Sequence, residues 1–157
     1  MTGTLEKIYL IAEKRGEPES RDKIELEAGL GIVGDRYHTN AKRCLAADDP
    51  VPENHLSLID NSVLDDFLAN QAKDSGLTYA DFRRSLITSG IDLNALVDKE
   101  FMVGSARCRG VELCEPCAFL AATVHRGVLP GLVNRGGLRA IIIKSGSAEI
   151  GSTITEG

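Results

Sequence analysis

Cys114 and Cys117 bracket a glutamate and a proline in the run Leu113-Cys-Glu-Pro-Cys117. Proline suits the first position of a helix, because that position has no hydrogen-bond partner for an N–H. The apolar run behind it predicts a helix to about His125, with Cys117 in its first turn. Unpaired backbone N–H groups and the positive end of the helix dipole stabilise a thiolate there. Arg107, Arg109 and Arg126 are near in sequence and would add to that field. A thiolate attacks sulfur or carbon electrophiles and ligates soft metals. Cys117 is therefore the candidate catalytic residue and metal ligand. Three other readings of the same cysteines stay open. Cys108, Cys114, Cys117 and His125 have the ligand types of a structural zinc site, although the Cys108–Cys114 gap is loose for a close pair. A thioredoxin-like dithiol normally follows a βαβ pattern, and none is read here. Cys108, in a strand-like position, and Cys114 also suit inert core thiols. Cys44 falls in a polar segment, either as an incidental residue or as a second thiol able to resolve a persulfide.

The elements that must position these groups are short. Leu5 to Ala12 reads as a strand. Ile24, Leu26 and Ala28 alternate with Glu25 and Glu27, the period of a half-buried strand. Gly29, Gly31 and Gly34 mark a turn, and residues 39–55, with Pro50 and Pro52, read as an irregular polar loop. His55 to Ile59 reads as a strand. Ser62 and Asp65 give a capping-box-like start to a helix whose apolar face is Val63, Leu64, Phe67 and Leu68, ended by Gly76. Thr78 and Asp81 open a short second helix, and Leu93 to Leu96 is one helical turn. Extended runs follow at 85–88, 101–103, 106–113 and 138–144, the last the clearest buried strand, and Ile150 to Ile154 closes the chain. Many short strands with few helices predict one α+β domain over residues 1–157, mainly β and closed like a barrel.

Composition supports a folded chain. Of 157 residues, 43% are hydrophobic and 26% charged, which is globular rather than disordered. With four Phe, three Tyr and no Trp, the core must come from Ile, Leu, Val and Ala. The start Met-Thr-Gly-Thr-Leu-Glu-Lys has no apolar signal region, and no window approaches the roughly 18 apolar residues of a membrane span. The expectation is a cytoplasmic protein, off the membrane, with reduced cysteines. Residues 1–82 carry 9 basic and 16 acidic side chains, net −7. Residues 83–144 carry 9 and 5, net +4. A basic segment in an acidic chain points to an anionic ligand. Nucleic acid is not expected, because a phosphate backbone needs many cations on one face.

Ser85 to Gly104 (SLITSGIDLNALVDKEFMVG), followed by the Pro116-Cys117 pair, resembles the MOSC domain, named for the C-terminal domain of molybdenum cofactor sulfurases. Gly31-Ile-Val-Gly-Asp35-Arg36-Tyr37-His38 is similar to that family's Gly-Asp-x-x-His element. Gly136-Gly-Leu-Arg-Ala-Ile-Ile-Ile143 and Ile150-Gly-Ser-Thr-Ile154 resemble its C-terminal strands. Together the matches span about residues 28–154. Ser85 stands where the family often has Asn, and Gly151-Ser152 where it commonly has Gly-Asp.

The resemblance implies a β-barrel that binds molybdenum cofactor, with Cys117 ligating molybdenum or carrying sulfur as a persulfide. Some relatives reduce N-hydroxylated compounds. No pyridoxal phosphate site is evident in the chain, so a cysteine desulfurase or an electron donor would be a separate partner. Asp35, Arg36 and His38 would line the cofactor pocket, although Gly-Asp is also an ordinary hairpin signal. Arg83 and Arg84 would hold the pterin's phosphate by bidentate hydrogen bonds, or form a solvated face. Asn134 and Arg135, with Gly136 and Gly137, would offer backbone N–H groups to an anion, or be a plain turn. The functional expectation is sulfur transfer or molybdenum-dependent reduction. The alternatives are a non-catalytic molybdopterin carrier and a zinc-stabilised interaction module.

Overall fold

The computed structural model describes residues 1–70, 76–114 and 135–157. The order is β1 (Thr2–Leu10), β2 (Glu19–Arg21), β3 (Lys23–Glu27), β4 (Gly31–Ile32), α1 (Arg36–Ala46), β5 (Leu56–Asp60), α2 (Asn61–Asn70), β6 (Leu86–Ser89), β7 (Glu100–Val103), β8 (Ala106–Leu113), β9 (Leu138–Lys144), β10 (Gly146–Glu149) and β11 (Thr153–Glu156). Short 3₁₀ turns occupy Tyr79–Phe82 and Leu93–Leu96. Strands β11, β7, β8, β9, β5, β6 and β1 are neighbours in that order, and a β1–β11 pairing closes them into a barrel. The α+β, mainly β, barrel expected from the sequence is the fold observed. Among the described residues no helix is long and apolar enough to cross a membrane.

Sequence pattern explains the closure. Leu5 and Ile8 are both fully buried although three positions apart, which strict alternation forbids. A bulge between Leu5 and Lys7, in the pairing with β6, resets the phase and turns Ile8 back inward. β5 and β6 pair in parallel, with Leu58 opposite Leu86 and Ile59 opposite Ile87. Leu58 and Leu86 join the barrel core, whereas Ile59 and Ile87 face outward under Leu64, Phe67 and Phe82. Strands covered on both faces read as continuous apolar runs, which is what LSLI and LI show. Phe67 and Phe82 meet edge to face, centroids 5.5 Å apart. Burying each of these side chains contributes roughly 1.5–3 kcal/mol. A smaller sheet, β10-β3-β4, adds Ile24, Leu26, Ile32 and Ala148 to the core.

Four local expectations are corrected. Residues 39–46 belong to α1 rather than to a loop, because Asp35 caps the helix and Ala41, Lys42, Arg43 and Leu45 are good helix formers. α2 is capped by Asp60, whose carboxylate accepts from the Ser62 N–H at 2.8 Å, not by a Ser62–Asp65 box. The connection β5-α2-β6 is a βαβ unit, although it precedes the cysteines and does not lead into them. The pairing of β10 with β3 adds a strand not read from Gly146–Glu149, which has only Ala148 to bury.

Candidate functional site

Asp35 organises one side of the candidate cleft. Its carboxylate is buried, accepts from the Tyr37 N–H at 3.2 Å as the α1 cap, and accepts from the Ile11 N–H at 3.1 Å. It thereby joins the start of α1 to the end of β1. Arg36 Nη1 lies 3.4 Å from the same carboxylate. The Arg36 guanidinium sits over the Tyr37 ring, 4.2 Å from the centroid, and its Nη2 donates to the Tyr37 hydroxyl at 3.1 Å. Two contacts thus fix the arginine head at the helix entrance.

The opposite side comes from the turn before β6. Arg83 follows the 3₁₀ turn in a left-handed conformation (φ 60°, ψ 31°). For a residue with a Cβ this costs about 1–2 kcal/mol, and here it caps the end of the 3₁₀ turn. Its Nη1 donates to the Gly16 carbonyl at 3.0 Å. Burial, and then the positive charge of Arg36, lower the Arg83 pKa from its ordinary value. Tyr37 and Glu17 act in the opposite direction on Arg83, and Asp35 supplies a carboxylate to Arg36. Ser85 and Ser57 clamp the strands below: the Ser85 Oγ accepts from the Ser57 N–H at 2.9 Å, and the Ser57 Oγ accepts from the Ser85 N–H at 3.1 Å. Asp35, Arg36, Tyr37, Ser57, Arg83 and Arg84 line one cleft with Tyr9 and Ile11.

Arg84 connects this cleft to the β8–β9 junction. Its Nε donates to the Gly136 carbonyl at 2.8 Å. Gly136 packs so closely on Cys114 that an added Cβ would stand 1.8 Å from the Cys114 oxygen. The Cys114 N–H donates to the Gly137 carbonyl at 2.8 Å. Cys114 itself is buried. The flanks of residues 115–134 therefore meet beside Arg84. Cys117, Asn134, Arg126 and His125 lie outside the described residues.

Other predicted residues are not brought here. His38 is buried on the opposite face of α1, where its Nε2 lies 3.1 Å from the Glu27 carboxylate. Two helical positions turn it about 200° from Arg36. Arg135 points to α2, donating to Asp66 at 2.7 Å. Cys108 is fully buried in the barrel core, and burial pushes its thiol up to about 12, so it is an inert thiol. Six strand positions separate it from Cys114, roughly 20 Å, so the two cannot share one zinc ion. Arg107 and Arg109 pair with Glu100 and Asp98, roughly 17–23 Å along β8 from Cys114, and their charges do not reach that end through solvent. Cys44 is half-buried on α1 rather than in a loop, and it does not line the cleft. The sequence reading missed Tyr37, Ser57 and Tyr9. The signal for Tyr37 was Asp35 as a helix cap; Ser57 and Tyr9 depend on strand pairings that no local pattern encodes.

Residues 36–155 match the family model of the MOSC domain. No curated protein matches the chain. The fold is similar to the YuaD protein from Bacillus subtilis, with TM-score 0.80 and 14% identity over 98% of this chain and 94% of that one. It is also similar to YiiM from Geobacillus stearothermophilus (TM-score 0.73, 9% identity, 99% and 75% covered) and YiiM from Escherichia coli (0.67, 15%, 98% and 69%). At these identities the likeness concerns the fold.

Proposed function

The chain belongs to the MOSC domain family, a family associated with the molybdenum cofactor, and from that premise we propose that it binds this cofactor by its anionic pterin. The carrying observation is the convergence of Arg36 and Arg83 on one cleft, with Arg84 tied to the Cys114 junction. A guanidinium pairs readily with phosphate oxygens, which supports the cofactor's phosphate as the ligand of these arginines. Arg36 and Arg83 hold that phosphate, Arg84 aligns the backbone at Gly136, and Asp35 positions Arg36. Cys117, three residues past Cys114, is the soft ligand or the sulfur carrier. When bound, the molybdenum centre supplies two-electron redox chemistry. The sulfur atom comes from a separate cysteine desulfurase in a carrier role, and electrons come from a separate protein in a reductase role. The protein works in the cytoplasm.

The test is molybdenum and pterin content after purification from a host that makes the cofactor. Wild type carries both, Arg83→Ala loses the pterin, and Cys117→Ser loses molybdenum. A wild-type protein with neither overturns the proposal. Cofactor present without turnover, even with a supplied electron donor, selects the carrier over the enzyme.

A further inference from the structure

The cleft does not end at Arg36. Arg36 and Tyr37 also line an adjoining open groove of about 580 Å³, more than a single phosphate requires. The groove runs along one face of α1. Arg36, Asn40 and Arg43 recur at helical spacing, and Lys14, Glu13 and Asn54 line the same groove. Arg43 donates to the Asn40 side-chain oxygen, a neutral partner. Among the described residues, neither Arg43 nor Lys14 lies within ion-pair distance of a carboxylate. Both cations keep charge for an incoming anion.

The mixture of groups narrows the ligand. An inorganic polyanion would want cations alone, yet Glu13 stands among the lining residues. A carboxylate accepts from sugar hydroxyls. Asn40 and Asn54 each carry donors and an acceptor, the complement of a heterocycle edge. Tyr37 borders both the cleft and the groove, with the Arg36 guanidinium over its ring. We infer that this groove is a second subsite, taking a nucleoside attached through the phosphate held by Arg36 and Arg83. The inference rests on the anion site proposed above and extends it, so that the ligand is a nucleotide-bearing anion.

Calorimetric titration of the purified full-length protein tests it, using adenosine, guanosine and cytidine monophosphates against inorganic phosphate. At least one nucleotide binds tenfold or more tightly than phosphate. Arg43→Gln, a change at an exposed position, weakens the nucleotide about tenfold and leaves phosphate unchanged. Arg83→Ala weakens both. Nucleotides that bind no better than phosphate, or an Arg43→Gln variant with wild-type nucleotide affinity, overturn the subsite. Pterin-loaded protein without nucleotide preference would sink the subsite alone. Nucleotide preference in a protein that never carries pterin would sink the cofactor reading and leave the subsite standing.

Discussion

Two arginine-lined depressions flank the β5–β6 pair, and they arrange charge differently. Around Asp60, Val63 and Leu93, Arg135 reaches to α2 and closes an exposed ion pair with Asp66 at 2.7 Å. Around Tyr9 and Ser57, Arg83 donates to a carbonyl and feels another arginine. The first depression has already neutralised its cation. The second brings two guanidiniums together, one beside the buried Asp35 carboxylate and the other on a left-handed backbone. An arginine's worth as a binding residue is thus set by what already faces it, not by its place in a sequence motif.

The largest expected effect follows directly. Arg83→Ala should lower affinity for a phosphorylated ligand about 100-fold, or about 2.7 kcal/mol, in calorimetric titration. Arg135→Ala should change it less than twofold. Equal losses would erase the distinction between the two regions. Both affinities should be compared at one ionic strength, because salt screens the partly exposed cleft.

Next is Gly136→Ala. A Cβ at 1.8 Å from the Cys114 oxygen forces the backbone apart. The Arg84–Gly136 bond breaks with it, and the cost should be about 2 kcal/mol or more in urea unfolding, with anion affinity falling in parallel. A variant with wild-type stability would show that the junction accommodates a side chain and does not position Arg84.

How much of this was legible in the sequence depends on the range of the interaction. The barrel strands were readable because burial imposes a local period, and Arg83, Arg84, Asp35 and Arg36 were singled out from motif-level chemistry. Their convergence was not readable, since it needs β1 to lie beside β6 and Asp35 to reach Ile11, a contact across 24 residues. His38 and Arg135 matched the same motifs and point elsewhere, because helix phase and an available carboxylate decide direction. The missed helix α1 had local signals, an aspartate cap and helix-forming residues, that were outweighed by the polarity of 39–55. With it went the shared face of Arg36, Asn40 and Arg43.

The backbone strain at Arg83 allows a finer cut. Arg83→Gly and Arg83→Ala remove the same guanidinium, but only glycine adopts φ 60° without penalty. The glycine variant should be more stable by about 1 kcal/mol, with equally poor anion affinity. Equal stabilities would mean that the turn relaxes and stores no strain for the site.

Acid separates binding from folding. Buried His55 accepts from the Ile142 N–H through Nδ1 at 2.9 Å, and burial lowers its pKa below the ordinary 6.5. Below pH 6.5 the unfolded chain takes up a proton that the folded one resists, so stability falls as pH drops from 6.5 toward the folded value. Tm should decline between pH 7 and 5, and His55→Gln should flatten the slope. Affinity for sulfate, an anion that does not titrate in this range, should not follow His55 while the protein stays folded, because the cleft's arginines also remain charged throughout. An affinity loss tracking the Tm loss would couple the cleft to the core.

The smallest effect tests the neutralised region. Hydrogen bonding from Arg135 holds the Asp66 carboxyl below its usual range. The sign is that of a depressed acid: any stability it contributes is present above the unfolded pKa and is lost as pH falls through the folded one. Both partners are exposed, so solvent screens most of the attraction. Asp66→Asn should leave Tm at pH 7 within error. It also removes the carboxylate partner of Arg135, without giving that arginine the left-handed turn or the second guanidinium found at Arg83. If that freed arginine gained measurable phosphate affinity, charge alone would suffice to make a site. If it gained none, the geometry contributed by Arg36 and the left-handed turn at Arg83 would be what separates the two depressions.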